Sequence, residues 1–246
     1  MMEELHKKIG AVFLPGDVIL PSTNAETLFG AKTRFGGGIR QEGASIVAFK
    51  AGILKVSESR CCIWIETNQK RYVGTKNDTI IGIITSRGID SYKVDIGCSH
   101  LASLNNLAFE GATKRHKPNL KIDDLVFAKL IVANKDMEPE LSCVDEHGKS
   151  NNLGPINDGY MFAVPFGLSR QLLKMPESRV LSLLGKHFCF EIVIGMNGRV
   201  WISAKNIIDT IAISNAIISA QFMEDNQITV MVKQLIDSIA GFNDED

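Results

Sequence analysis

The sequence predicts a multidomain protein, mainly β and then α+β. It divides into an N-terminal β-domain over residues 1–72, a small five-stranded barrel over 73–147 and an α+β domain over 148–246. Three observations predict this. Between Val73 and Glu146, five short runs rich in β-branched and apolar residues are each bounded by Gly, Asn, Asp or Pro. Before them, turn residues separate further strand-like runs. After them, runs of helical spacing alternate with strands and one Asn-Gly hairpin signal.

In the first block, Leu14-Pro15-Gly16-Asp17 is a turn between an apolar run and Val18-Ile19-Leu20. Gly36-Gly37-Gly38 breaks the chain before strand-like runs at 45–49 and 52–56. That triple glycine lacks the Lys-Ser/Thr of a phosphate cradle, so a flexible turn or bulge is expected. A further strand over 61–67 puts Cys62, Trp64 and Glu66 on one face and Ile63 and Ile65 on the other.

The barrel strands are expected at 79–85, 91–96, 99–101, 125–132 and 141–144. Five strands with long connections suit a Greek-key barrel, an architecture that binds single-stranded nucleic acid on one face. In the last block a strand over 160–165 precedes helices over 168–175 and 178–184, broken at Pro176. Strands over 188–194 and 199–203 flank Gly195-Met196-Asn197-Gly198, and helices over 205–222 and 226–240 follow. The last helix carries Ile228, Met231, Val232, Leu235 and Ile239 as one stripe, with Asp225 as cap and Gly241 as terminator. The acidic tail 243–246 is expected to be disordered.

Composition narrows the chemistry. The chain is 45% hydrophobic and 22% charged, with a net charge of −1. There is no global basic field, so any contact with nucleic acid must be local. Residues 1–72 carry 10 basic and 7 acidic side chains, 73–146 carry 9 and 11, and 147–246 carry 8 and 10. Five cysteines with no C-x-x-C pair, and five scattered histidines, argue against zinc and for reduced, buried thiols. No run of 18 apolar residues occurs, and the amino terminus lacks the apolar core of a secretory signal, so an intracellular protein is expected.

The binding candidates are a basic run, Lys114, Arg115, His116 and Lys117, with Lys121 beyond it. In an extended loop several of these can reach one phosphate backbone. Tyr92 is the candidate for base stacking, with a half-buried strand residue as the competing reading; Arg87 and Lys93 are further phosphate contacts, opposed by Asp90 and Asp95. The Asn197-Gly198 pair reads as a two-residue turn that sets Gly195 opposite Val200. A missing side chain at Gly195 would let another backbone approach, so this hairpin is expected to dock on the barrel and set the interdomain angle. The acids Asp123-Asp124 and Asp136, Glu138 and Glu140 have no converging base or metal ligand. No catalytic residue, metal site or cofactor is therefore expected.

Four motifs, taken together and in order, carry a resemblance: Leu14-Pro15-Gly16-Asp17, the run from Glu110 to Arg115, the run from Val132 to Glu140, and Gly195-Met196-Asn197-Gly198-Arg199-Val200-Trp201. They resemble the RNA exosome cap subunits, of the ribosomal RNA-processing protein 40 type. The resemblance implies a ring-docking N-terminal domain, an S1-like OB-fold barrel and a KH-like C-terminal domain. It implies a non-catalytic subunit that sits with other cap proteins on a ring of RNase-PH-like subunits. That subunit would steady the ring and guide single-stranded RNA into its pore, in nucleus, nucleolus and cytoplasm. Three features depart from the pattern. The second barrel strand lacks an aromatic-Gly-x-aromatic run, and Leu101-Ala102-Ser103-Leu104 stands where a histidine is common. The helix junction Lys174-Met175-Pro176-Glu177-Ser178 also lacks the G-x-x-G phosphate clamp of a working KH domain. A purely structural adaptor and a nuclease are the competing readings.

Overall fold

The computed structural model describes residues 2–20, 33–43, 45–57, 61–67, 69, 71–113, 115–134, 136–145, 147–174 and 178–243. The chain divides into two compact units, Met1–Gln69 and Lys70–Asp246. Among the described residues no helix is long and apolar enough to cross a membrane.

The first unit comprises α1 (Met2–Lys8), β1 (Val12–Phe13), β2 (Val18–Leu20), β3 (Arg34–Phe35), β4 (Ile39–Glu42), β5 (Ser45–Ala48), β6 (Gly52–Ser57) and β7 (Cys62–Glu66). They form two sheets, ordered β1-β6-β7-β3 and β2-β5-β4. Alternation sends Ile63 and Ile65 inward, with Leu5, Ile19, Ile46 and Leu54. The all-β expectation missed α1, whose Leu5 enters this core. The triple glycine lies along β7: Gly36 N–H donates to Ile63 O at 2.8 Å, and Gly37 O accepts Ile65 N–H at 3.0 Å. A Cβ on Gly36 would meet Trp64 Cβ at 2.7 Å, so bare backbone is what fits there.

The second unit begins with the barrel: β8 (Thr79–Arg87), β9 (Ser91–Asp95), β10 (Ala102–Asn105), β11 (Leu125–Val132), β12 (Glu140–Ser142) and β13 (Gly154–Ile156). The sheet runs β12-β10-β9-β8-β11-β13, and β11 pairs with β12 to close it. Ile80, Ile84, Tyr92, Val94, Leu104, Val126, Ala128 and Leu130 fill the interior. Each buried Ile, Val or Leu among them contributes about 1.5–3 kcal/mol. The third strand lies at 102–105 rather than 99–101. Gly97, at φ +78°, takes the turn with its N–H on Asp95 Oδ1, which carries residues 97–100 away from the ladder. β13, beyond the expected boundary at 147, pairs with the start of β11.

Then follow β14 (Tyr160–Ala163), α2 (Phe166–Leu172), α3 (Arg179–Leu184), β15 (Phe190–Ile194), β16 (Arg199–Ala204), α4 (Ile207–Ser219) and α5 (Asp225–Asn243). This is β-α-α-β-β-α order with one added helix, on an antiparallel sheet ordered β14-β16-β15. Ile228 and Val232 of α5 are buried, with Met231 and Leu235 packed beside them. The side chain of Ile239 and the tail 244–246 lie outside the described residues. Two expectations for α5 are corrected. The start is set at Glu224, whose N–H donates to Gln227 Oε1, half of a capping box. The helix also passes through Gly241, because one glycine lowers helix propensity without ending a helix.

Candidate nucleic-acid interface

The basic run sits in the long connection between β10 and β11. Thr113 N–H donates to His116 O, and His116 N–H donates to Thr113 Oγ1, both at 3.1 Å. This pinches off the tip; Lys114 itself lies outside the described residues, while Arg115, His116 and Lys117 are exposed. The far side of the loop is tied down. Tyr92 hydroxyl donates to Pro118 O at 2.5 Å, and Leu120 is buried. Arg87 donates to Asn119 Oδ1 at 2.7 Å. Lys117 Nζ donates to Ile89 O at 3.1 Å and meets Asp90 Oδ1 at 3.2 Å. Lys121 N–H is held by Asp124 Oδ2 at 2.7 Å, and Asp123 takes φ +71°, so that acidic pair serves the turn into β11.

The end of β8 aims Arg87. The register with β9 shifts between Ile84 and Ser86, making Thr85 the extra residue of a bulge. Bulges at barrel rims bend a strand and redirect its side chains. Arg87, Arg115, His116 and Lys117 thus gather at one end of the barrel, while Lys93 points outward from the middle of β9 to Glu138. Tyr92 does not join them. It is 1% exposed and pairs across the ladder with Leu104. Its parity matches Val94 and Ile96, inside the barrel, whereas Ser91, Lys93 and Asp95 face out. The expected stacking role is corrected: Tyr92 anchors the loop from within.

The glycine hairpin lies at the opposite end of β8. Gly198 N–H donates to Gly195 O at 3.1 Å, and Gly195 N–H donates to Arg199 O at 2.8 Å. Only Gly198 is left-handed, at φ +74°, so Met196 and Asn197 are the central residues and Gly198 forms a bulge. Ile194, not Gly195, stands opposite Val200. The expected two-residue Asn-Gly turn is therefore corrected, because Asn197 keeps ordinary φ to bring its amide onto the barrel. Asn197 Nδ2 donates to Ile81 O (2.8 Å) and Ile96 O (3.0 Å), and its Oδ1 accepts Ile81 N–H (3.3 Å). Met196 N–H donates to Thr79 O at 2.8 Å. A Cβ on Gly195 would lie 2.9 Å from Ile81 N. Arg199, which sequence reasoning did not single out, donates to Ile81 O (3.2 Å) and Asp95 O (2.6 Å) and pairs with Asp95 Oδ2 (2.6 Å). This cover explains why Ile80, Ile81 and Gly82 are buried in succession on β8.

Comparison with known proteins follows these boundaries. A profile for the S1 domain of exosome complex component RRP40 matches residues 72–154, and a KH-domain profile matches 159–208. A profile described as the N-terminal domain of exosome complex exonuclease Rrp40 matches 33–71. The human exosome complex component RRP40 is 38% identical over 253 residues, covering 94% of this chain and 92% of that protein. The chain belongs to the RRP40 family. The Schizosaccharomyces pombe exosome complex component rrp40 is 38% identical over 245 residues, covering 96% of this chain and 99% of that protein. A crystal structure described as an exosome complex RNA-binding protein shares the fold at TM-score 0.53 and 23% identity, covering 68% of this chain and 97% of that one.

In this RRP40-family chain the KH match spans the hairpin, so its Gly-x-Asn-Gly turn is engaged with the S1 barrel. Of the helix junction where a KH clamp would stand, residues 175–177 lie outside the described ones. The electrostatics follow from these contacts. Burial pushes Asp95 up, but the Gly97 N–H and the Arg199 guanidinium outweigh it and hold the carboxyl below its ordinary value. The Lys93 hydrogen bond lowers Glu138 likewise. Burial pushes the Cys143 thiol up to about 12, while Cys189 is exposed, so the expectation of uniformly buried thiols is corrected. The five cysteines are thiols rather than disulfides. Among the described residues, no group of three His, Cys, Asp or Glu is placed to hold a metal.

Proposed function

We propose that this chain is a non-catalytic, RNA-binding cap subunit of the RNA exosome. It contacts RNase-PH-like ring subunits and other cap subunits, steadies the ring and guides single-stranded RNA into the pore for 3'–5' processing, including maturation of ribosomal RNA. The N-terminal unit, the only net-basic segment of the sequence, docks on the ring, and the complex works in nucleus, nucleolus and cytoplasm. Relatives that match nearly end to end are named exosome complex components. The observation that carries the RNA role is the exposed Arg115–His116–Lys117 turn, pinned beside Arg87 at one end of the barrel. Each cation that neutralises a phosphate releases counterions and strengthens binding without reading sequence.

The outward face of β9 presents Ser91, Lys93 and Asp95, with no aromatic platform among them. This favours phosphate contact over base stacking, and it also motivates the adaptor reading, in which the barrel serves only as a protein interface. Complexes assembled with Arg87, Arg115, His116 and Lys117 all changed to Ala separate the two. The RNA reading expects intact subunit stoichiometry with crosslinking of RNA to the cap reduced; unchanged crosslinking favours the adaptor. Turnover of single-stranded RNA by the stringently purified chain, with Mg²⁺ and phosphate, would overturn the non-catalytic assignment.

A further inference from the structure

Two described lysines among the binding candidates, Lys93 and Lys117, are already bonded to a carboxylate. Lys93 Nζ lies 2.6 Å from Glu138 Oε2, and Lys117 Nζ lies 3.2 Å from Asp90 Oδ1. The arginines differ: Arg87 meets the neutral amide oxygen of Asn119, and Arg115 faces no acid among the described residues. The two acids come from separate loops, 45 and 27 residues from their partners in sequence, so neither pair is a by-product of local geometry. In each pair the acid is the outer member. Glu138 is 65% exposed against 36% for Lys93, and Asp90 is 86% exposed against 34% for Lys117.

We propose that Asp90 and Glu138 set RNA affinity by occupying the phosphate positions on Lys117 and Lys93, and that the RNA backbone displaces them when it binds. This rests on the RNA-binding reading above. A carboxylate offers an ammonium group the same anionic oxygens that a phosphate does. Exposed ion pairs are weak, so displacement lowers affinity by at most about fivefold per pair. The lysine stays in place when its acid leaves, because Lys117 keeps the Ile89 carbonyl. That carbonyl also accepts Asn106 Nδ2 at 3.1 Å, and Asn106 N–H donates to Asp90 O at 3.0 Å. The loop is therefore positioned without the Asp90 carboxylate, and Asp90→Asn removes charge while leaving the loop anchored.

The test measures anisotropy of a labelled single-stranded oligouridylate titrated with the 246-residue chain. Asp90→Asn and Glu138→Gln should each tighten binding roughly two- to fivefold. Neither should change the slope of log K against log salt by as much as one phosphate contact, about 0.7, because Lys93 and Lys117 reach phosphate in the parent as well. Glu191→Gln, the same charge change on the KH sheet, serves as the control and should not tighten binding. In a Lys93→Ala/Lys117→Ala background the two acid changes should have no effect beyond that control. Unchanged or weaker affinity, equal tightening by Glu191→Gln, or tightening that persists without the lysines overturns the proposal. If Lys93→Ala/Lys117→Ala weakens binding while the acid variants do not tighten it, masking alone falls. If loss of both lysines leaves affinity unchanged, this face is not the RNA site and both readings fall.

Discussion

Tyr92 and Lys93 are adjacent and serve opposite sides of one strand. The ring of Tyr92 fills the barrel, and its hydroxyl reaches through to Pro118 O while accepting Leu120 N–H at 3.5 Å. Tyr92→Phe leaves two backbone groups of the basic loop without that partner and should cost about 1–2 kcal/mol. Denaturant unfolding checks this, and RNA affinity should fall with it as the loop loosens. The residue's role was legible from parity: Tyr92, Val94 and Ile96 alternate with Ser91, Lys93 and Asp95, which makes the tyrosine core. A lone aromatic on a binding-barrel strand suggested stacking, but the period of two decides otherwise. Asp95 gives a pH signature at the same scale. Its carboxyl titrates below the ordinary 3.8, so its stabilising pair with Arg199 is complete above that value and is lost as pH falls through the lowered one. Asp95→Asn should therefore melt below the parent at pH 7, and the gap should narrow as the pH is lowered below the ordinary 3.8.

The elements divide into those that local composition reveals and those that depend on distant partners. β11 and the hairpin strands β15 and β16 were legible because each is a short run of β-branched and apolar residues bounded by turn residues. The placement of β10 was not, since the Gly97 turn uses a hydrogen bond to Asp95 that spacing cannot show. The bulge at Thr85 is equally silent in sequence, yet it aims Arg87. The Asn-Gly signal correctly marked a hairpin and misled about its turn, because Asn197 serves the neighbouring barrel rather than its own loop. Gly195→Val would push a Cβ to 2.9 Å from Ile81 N, with Asn197 Oδ1 also in its way. The variant should lower the melting temperature and raise amide exchange at Thr79–Ile81 while leaving affinity for a short RNA nearly intact. A selective loss of RNA affinity in a stable protein would reject the interdomain role.

For the whole molecule, charge is the governing quantity. A net charge of −1 gives no general attraction for RNA, so attraction must come from the few cations gathered at one barrel end. Sequence located their loop but not their company. The pairing of Lys93 and Lys117 with acids spans 45 and 27 residues, beyond the reach of any local pattern. Modest affinity and steep salt dependence are the expected consequences, with the remaining grip supplied by neighbouring subunits. The most direct measurement is the slope of log K against log salt for single-stranded RNA, compared between the chain and a variant with Arg87, Arg115 and Lys117 changed to Ala. Three lost phosphate contacts predict a slope shallower by about 2. An unchanged slope, in a variant that folds as the parent does, would contradict the assignment of this loop to RNA.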